Sequence, residues 1–241
     1  MGSDVSYLQT LRADAAALAG AARTAGVGAP VPTCPGWDVE KLVRHVGRVH
    51  TSGAAVVRER AKVDFDTLPP MPKGEEAIAA FDDRSGALAD ALEALPEDFP
   101  IWNWFGIEPP IPGFYHRRMA QETAVHRWDA QAAAGTTAPI DTALAVDGID
   151  ELLRSFLSFA GADAELGGSI HLHATDADSE WLVRREHGKL VATPEHGKAD
   201  VAVRGTASDL LLFIWNRVPA SALDLAGDPA VADHWKDAIK F

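Results

Sequence analysis

The chain has 241 residues, 47% hydrophobic and 24% charged, a balance typical of globular proteins rather than disordered or fibrous ones. Its net charge of −13 disfavours binding to nucleic acid and to anionic lipid surfaces. The single cysteine, Cys34, excludes an intramolecular disulfide framework, and no apolar run reaches the ~18 residues of a membrane span. The N-terminus lacks the features of a signal peptide. We therefore expect a cytoplasmic protein with no nucleic-acid or membrane partner, of open oligomeric state.

The first part of the chain is predicted to form helices separated by breaks rich in proline. Apolar residues at helical spacing predict helices over residues 4–25, 38–60, 75–95, 112–134 and 141–160. Asp38 is the predicted N-cap of the second helix, Pro112 the first-turn proline of the fourth, and Gly135 its stop.

After Gly161 the periodicity changes from helical to alternating. The alternation predicts strands over residues 169–174, 180–184, 189–192 and 199–204, followed by helices over 208–216 and 229–239. His187-Gly188 suits a hairpin turn between two of the strands. These patterns predict an α+β protein, with a helical bundle, a boundary near residues 135–140, and the fifth helix docked on the second unit.

The helix predicted over residues 112–134 places two polar side chains on its inward face. Glu122 and His126 are four residues apart, so they stack on the same face as Met119. Buried polar groups are costly unless they are paired, and a divalent metal would satisfy both. Two alternatives stay open. Glu122 could form an ion pair with Arg118 or with an arginine on another helix, and His126 could donate a hydrogen bond to a neighbouring carbonyl.

The second predicted helix carries His45 and His50 on opposite margins of its apolar stripe. Five residues separate them, which is about 140° around the helix, so one of them is expected to face Glu122 and His126. Two histidines and a glutamate form a set of three protein ligands with an open fourth position, as in catalytic zinc sites.

Three stretches of sequence carry a family resemblance. They are VPTCPGW with LVRHV (residues 31–37 and 42–46), RRMAQETAVHRWDA (117–130) and ADVAVRGTASDL (199–210). In this order they resemble the mycothiol-dependent maleylpyruvate isomerase family of the DinB-like metalloprotein superfamily. The resemblance implies a DinB-like four-helix bundle over residues 1–138 and a C-terminal α+β domain over 139–241 that is similar to sterol carrier protein folds.

The resemblance also implies a site and a chemistry. The family's metal ligands fall on His45, Glu122 and His126, so His45 is preferred over His50. The metal is a divalent ion, usually zinc, and it activates the thiol of mycothiol for attack on a small electrophile. An arginine of the C-terminal domain is implied to bind the substrate carboxylate. Arg217 is the candidate, and a structural salt bridge is the alternative for it and for Arg204.

These expectations describe an enzyme, either an isomerase or an S-transferase, whose partners are a small thiol and an electrophile. The sequence leaves open the electrophile, the thiol, and the choice among zinc, nickel, iron and manganese. Two alternatives remain. One is a non-catalytic protein that carries a metal or binds a small molecule or lipid. The other is a metal-free bundle in which the three polar residues form a hydrogen-bonded network.

The roles of four further residues, Cys34, Asp129, His171 and His173, are also predicted from the sequence. Cys34 is expected to be a buried structural thiol, since no basic residue adjoins it. Asp129 is expected either to orient a metal ligand or to pair with a nearby arginine. His171 and His173 alternate on one strand. We expect exposed strand positions there rather than a second metal pair, because the sequence offers no evident third ligand.

Overall fold

The computed structural model describes residues 5–96, 98–104, 110–111, 113–157 and 166–238. These residues divide into two compact units, one ending at Ala138 and the other beginning at Pro139. No helix among them is long and apolar enough to cross a membrane. The first-turn proline predicted at Pro112 lies outside the described residues.

The N-terminal unit is built from four long helices: α1 (Tyr7–Ala25), α2 (Val39–Glu59), α3 (Glu76–Glu93) and α4 (Phe114–Ala134). Helix α1 packs against α3 and α4, and α2 packs against the same two helices. A 3-10 turn, Phe65–Thr67, lies in the connection between α2 and α3. The four helices match the predicted ones with small shifts at their ends.

Local sequence explains where α2 begins. The Asp38 carboxylate accepts a hydrogen bond from the backbone N–H of Lys41 at 2.7 Å, which caps the first turn. Before it, the proline-rich segment folds back on itself, because the backbone N–H of Val31 donates to the carbonyl of Trp37. This closed turn presents Thr33 and Cys34 to α4, where the site described below is located.

Helix α4 is the most enclosed element of the bundle. Fourteen of its 21 residues are buried, including charged and polar ones. Its C-terminus is the predicted one, since Gly135 takes a left-handed conformation with φ of +69°. Polar side chains on a helix enclosed in this way need partners inside the protein. Several of those partners lie at the candidate site.

The C-terminal unit combines one five-stranded sheet with short helices. The helices are α5 (Thr142–Glu151), α6 (Ala207–Ile214), α7 (Pro229–Asp233) and α8 (Trp235–Ala238). The strands are β1 (Ile170–Ala174), β2 (Glu180–Glu186), β3 (Lys189–Thr193), β4 (Val201–Gly205) and β5 (Asp224–Gly227). Their order in the sheet is β3-β2-β1-β4-β5. Strands β1 and β4 are parallel, and all other neighbours are antiparallel.

The structure confirms the predicted α+β class, a helical N-terminal region followed by a small sheet domain with helices. Helix α5 packs against α6, so it belongs to the second unit as expected. The α-helical part of the fifth helix ends at Glu151, and a π-helical turn, Leu152–Phe156, continues it. The remainder of that prediction reaches residues outside the described ones.

Two predictions for the last part of the chain were incomplete. The helix expected over residues 229–239 is interrupted at His234 and forms two short helices. The interruption directly precedes Trp235. This side chain is fully buried and donates its indole N–H to the carbonyl of Ile214 at 2.9 Å. The edge strand β5 was not predicted, because its sequence DLAG, Asp224–Gly227, does not alternate between apolar and polar residues.

Candidate metal centre

The structure brings His45, Glu122 and His126 together at the interface of α2 and α4. The Nε2 atoms of His45 and His126 lie 3.2 and 3.3 Å from the same oxygen, Oε1 of Glu122. One ligand atom from each of the three residues lies within 4.8 Å of the other two. Such a cluster of two imidazole nitrogens and one carboxylate oxygen is able to hold a metal ion.

The far side of the His126 ring is held by a buried carboxylate. Nδ1 of His126 donates to Oδ2 of Asp129 at 2.8 Å, and the Asp129 side chain is fully buried. Since Asp129 only accepts there, the hydrogen bond fixes the proton on Nδ1 and leaves Nε2 to face Glu122. This contact is the one that the orienting interpretation of Asp129 predicts.

The turn before α2 completes the surroundings of Asp129. The hydroxyl of Thr33 donates to Oδ1 at 2.5 Å, and the thiol of Cys34 lies 3.4 Å from Oδ2. These contacts join residues more than 90 positions apart, so sequence spacing could not predict them. Cys34 is buried, and this position agrees with a structural thiol.

The second oxygen of Glu122 has its own partner. Nη2 of the buried Arg118 lies 3.3 Å from Oε2, so the arginine holds one carboxylate oxygen while the other faces the histidines. From the sequence, an ion pair with Arg118 was an alternative to metal binding by Glu122. Because the carboxylate has two oxygens, one can contact Arg118 while the other binds a metal. Arg118 thus holds the Oε2 side of the carboxylate, while Oε1 faces the two histidines.

Electrostatics couple the two residues of α4. Burial alone would lower the pKa of His126, but the carboxylates of Glu122 and Asp129 outweigh it and raise that pKa to about 9. Burial likewise opposes ionisation of Glu122, yet His126 and Arg118 hold the pKa of that carboxyl well below its ordinary value. Without a metal the two side chains form a charged pair, so a metal would displace a proton from His126.

The three candidate ligands differ in exposure, which defines an open side of the cluster. The side chain of His126 is 8% exposed and that of Glu122 18%, whereas His45 is 40% exposed. Trp37 flanks both imidazoles, with ring centroids 5.0 Å from His45 and 6.2 Å from His126. A molecule from solvent would therefore approach on the side of His45, next to an indole ring.

His50 lies outside this cluster. It is fully buried, and its two ring nitrogens each lie 2.9 Å from a hydroxyl, that of Ser85 and that of Thr123. Burial lowers the pKa of His50 to about 4, so the ring is neutral in the folded protein. His50 is a hydrogen-bonded residue of the core, and His45 is the histidine of α2 that faces Glu122.

Two family models together match most of the chain. Residues 8–131 match the mycothiol maleylpyruvate isomerase N-terminal domain, and residues 143–234 match the C-terminal domain of the same family.

The chain belongs to the mycothiol maleylpyruvate isomerase family.

This assignment confirms the resemblance seen in the sequence and makes the protein a member of a family of enzymes. No curated protein is similar enough in sequence to count as a match.

Solved structures show the same fold. One is the crystal structure of the mycothiol-dependent maleylpyruvate isomerase, and another is that of a mutant of it in which a histidine is replaced by alanine. Each aligns with a TM-score of 0.67 and 12% sequence identity, over 91% of this chain and 91% of the other. At this identity the likeness establishes the fold alone.

The arginines singled out in the C-terminal domain of this family member have local partners. Nη1 of Arg204 lies 3.5 Å from Oδ2 of Asp224 across strands β4 and β5, both side chains being at least half exposed. Nη1 of Arg217 donates to the carbonyl of Trp215 at 2.7 Å. Arg204 thus forms the salt bridge expected as an alternative, and a substrate-binding role for Arg217 stays a prediction.

The expectation for the two histidines of β1 was wrong. His171 is buried, at 5% exposure, and His173 is partly buried rather than exposed. A third candidate ligand is also present, because Glu180 of β2 contacts both rings. Sequence alternation could not show this contact, since it depends on the pairing register of β1 with β2.

Proposed function

We propose that the protein is a metal-dependent enzyme that uses the thiol of mycothiol to isomerise, or to attach to, a small electrophile. The supporting observation is the convergence of His45 Nε2, Glu122 Oε1 and His126 Nε2 within 4.8 Å. The family assignment supports mycothiol as the thiol and a maleylpyruvate-like molecule as the electrophile.

The donor set fits a divalent metal, and zinc is the proposed ion. Two imidazoles and one glutamate form a known ligand set of catalytic zinc sites, in which a fourth position remains for substrate or solvent. His45, Glu122 and His126 would hold the ion. Asp129 orients the His126 ring through Nδ1, as the supporting carboxylates of many histidine-bound metals do.

The chemistry requires a thiol from outside the chain. The only cysteine, Cys34, is buried and lies against the Asp129 carboxylate, which supports a structural role for this thiol. A divalent metal bound by the three residues would supply the Lewis acidity that keeps a coordinated thiol deprotonated at neutral pH. The exposed side of His45 is where the thiol and the electrophile would enter.

The proposed isomerisation is balanced without a further reactant. The thiol sulfur adds to one carbon of a cis double bond, rotation follows about the resulting single bond, and expulsion of the same sulfur gives the trans isomer. The S-transferase alternative stops after the addition, with the thiol retained and a proton placed on the second carbon. Arg217 is proposed to bind a substrate carboxylate, because the guanidinium matches its two oxygens.

The test combines metal content with turnover of maleylpyruvate in the presence of mycothiol. We expect turnover that is lost on treatment with a chelator and restored by zinc, and a loss of ~100-fold or more in His126→Ala. His187→Asn is the matched control. It removes an exposed histidine from a turn whose φ of +49° asparagine tolerates, and it should leave turnover unchanged.

Inductively coupled plasma mass spectrometry of the same samples identifies the bound ion among zinc, nickel, iron and manganese. Turnover that persists after the metal has been stripped would overturn metal dependence. A protein that holds metal yet neither isomerises the substrate nor consumes the thiol would overturn the enzyme assignment. That result would favour the non-catalytic alternative.

A further inference from the structure

The C-terminal sheet carries a second convergence of imidazoles on a carboxylate. Strands β1 and β2 pair so that His173 lies directly opposite Glu180, and His171 lies two positions along β1 on the same face. Three residues that are distant from the bundle site in sequence are thus placed side by side by strand register alone.

The contacts within this cluster are short. Nε2 of His171 lies 3.0 Å from Oε2 of Glu180, and Nδ1 of His173 lies 2.7 Å from Oε1. One ligand atom of each residue lies within 4.8 Å of the other two, as in the bundle cluster. His171 is the enclosed member, with a side chain only 7% exposed.

A fourth imidazole comes from the loop between β3 and β4. Nδ1 of His196 lies 2.6 Å from Oε2 of Glu180, and its ring meets that of His171 edge to face at 5.1 Å. The next residue, Gly197, approaches the sheet closely, since a Cβ there would lie 2.8 Å from Cδ2 of Leu182. The loop therefore packs against β2 at the point where His196 reaches the carboxylate.

The cluster contains more imidazole than one carboxylate needs. The ring of His171 lies 6.1 Å from that of His173 and 5.1 Å from that of His196, so three imidazoles surround one carboxylate. Three imidazoles and one carboxylate supply four donors, which is the number that a structural zinc site uses.

We propose that His171, His173 and Glu180 bind Zn²⁺ or a chemically similar divalent metal ion, with His196 as the fourth ligand. With four protein ligands the site is closed, so its role is structural. The ion would fasten the β3–β4 loop to the face of the sheet that carries His171 and His173. This site is separate from the one proposed in the bundle and does not depend on that proposal.

The test counts zinc ions per chain in four versions of the full-length protein. Each is loaded with zinc chloride, dialysed, and measured by inductively coupled plasma mass spectrometry. The versions are the wild type, His126→Ala, His173→Gln with Glu180→Gln, and the combination of all three substitutions. We expect two, one, one and no zinc ions per chain, so each site is read without the other.

Affinity is measured on the His126→Ala background by competition with a chromophoric chelator. Glu180→Gln should weaken zinc binding by ~100-fold or more, because loss of a direct ligand exceeds the ~10- to 100-fold effect of a supporting residue. His196→Ala should weaken it less, since the side chain of His196 is 82% exposed. His187→Asn, outside the cluster, should have no effect.

Folding of each variant is checked by circular dichroism, and His173→Gln alone serves if the double substitution unfolds. Hydrogen exchange supplies a second readout, because zinc should slow exchange in residues 194–200 of the His126→Ala protein. A His126→Ala protein that binds no zinc, or a Glu180→Gln variant with unchanged affinity, would overturn the proposal. The cluster would then be a hydrogen-bonded network only.

Discussion

The buried carboxylate of Asp129 accepts a hydrogen bond from Nδ1 of His126, three residues earlier on the same helix turn. Because both oxygens of Asp129 also meet donors from the turn before α2, this carboxylate links that turn to α4. The link sets the direction of the His126 ring and holds a proton on its Nδ1 atom. We therefore expect metal affinity to depend on a residue that would not touch the metal.

The first prediction concerns this positioning role. Asp129→Asn removes the negative charge that supports His126 while keeping the shape of the side chain. Zinc affinity of the bundle site should fall by ~10- to 100-fold, the usual effect of removing a carboxylate behind a histidine ligand. Competition with a chelator measures it, and Thr33→Val, which removes one hydrogen bond to Asp129 but no charge, should have a smaller effect. Equal affinities for Asp129→Asn and the wild type would contradict the role.

A second prediction separates metal binding from stability. His45→Ala and His126→Ala should both abolish zinc binding at the bundle site, but their effects on the metal-free protein should differ. The side chain of His45 is 40% exposed, so its removal should change the free energy of unfolding by less than ~0.5 kcal/mol. His126 is buried and paired with two carboxylates, so its removal should cost ~1–3 kcal/mol.

Urea unfolding in the presence of a chelator measures the difference between these variants. Suppose that neither substitution changes the zinc content and that His126→Ala only lowers the free energy of unfolding. The three residues would then form a hydrogen-bonded network rather than a metal site. That outcome is the metal-free alternative which the sequence left open.

Much of the N-terminal unit could be predicted from the sequence, because its signals are local. Helical periodicity placed α1 to α4, and the i,i+4 spacing placed Glu122 and His126 on one inward face. The choice of His45 over His50 came from the family resemblance. The spacing showed only that the two point in different directions, and the structure shows His50 bonded to two hydroxyls in the core.

The parts that sequence reasoning missed depend on contacts between distant segments. The hydrogen bonds of Thr33 and Cys34 to Asp129 span more than 90 residues, and no local pattern encodes them. The cluster around Glu180 depends on strand register and on the path of a loop. In both cases the residue types were visible, but their partners were set by tertiary packing.

A third prediction follows from the low pKa of His50. Burial lowers that pKa from 6.5 to about 4, so the unfolded chain binds the proton more readily than the folded one. The stability contributed by neutral His50 is therefore complete above pH 6.5 and decreases as the pH falls towards 4. The full change corresponds to about 3 kcal/mol.

His126 contributes a dependence of opposite sign. Its pKa is raised in the folded protein, so the stability it contributes is complete below pH 6.5 and is lost as the pH rises through about 9. The free energy of unfolding is therefore measured by urea denaturation from pH 4 to 7, with chelator present, for both the wild type and His50→Asn. The difference between the two proteins at each pH isolates the contribution of His50. Parallel curves for the two proteins would contradict a neutral, buried His50.

A fourth prediction tests the packing of the edge strand β5 against β4. Gly227 has φ of +113°, and a Cβ there would clash with the backbone carbonyl oxygen of Asp200. Gly227→Ala therefore combines an unfavourable backbone conformation with a clash against rigid backbone. It should destabilise the C-terminal unit by about 2 kcal/mol or more.

Gly86→Ala is the matched control for this substitution. Gly86 lies inside α3, is exposed, and has open space where a Cβ would be, so alanine there should stabilise the helix by up to ~1 kcal/mol. Hydrogen exchange localises both effects. In Gly227→Ala, exchange should accelerate in β4 while α3 keeps its protection, because β5 can no longer pair with β4 at Val201. Unchanged protection of β4 would mean that the edge strand adjusts to the added methyl group at little cost.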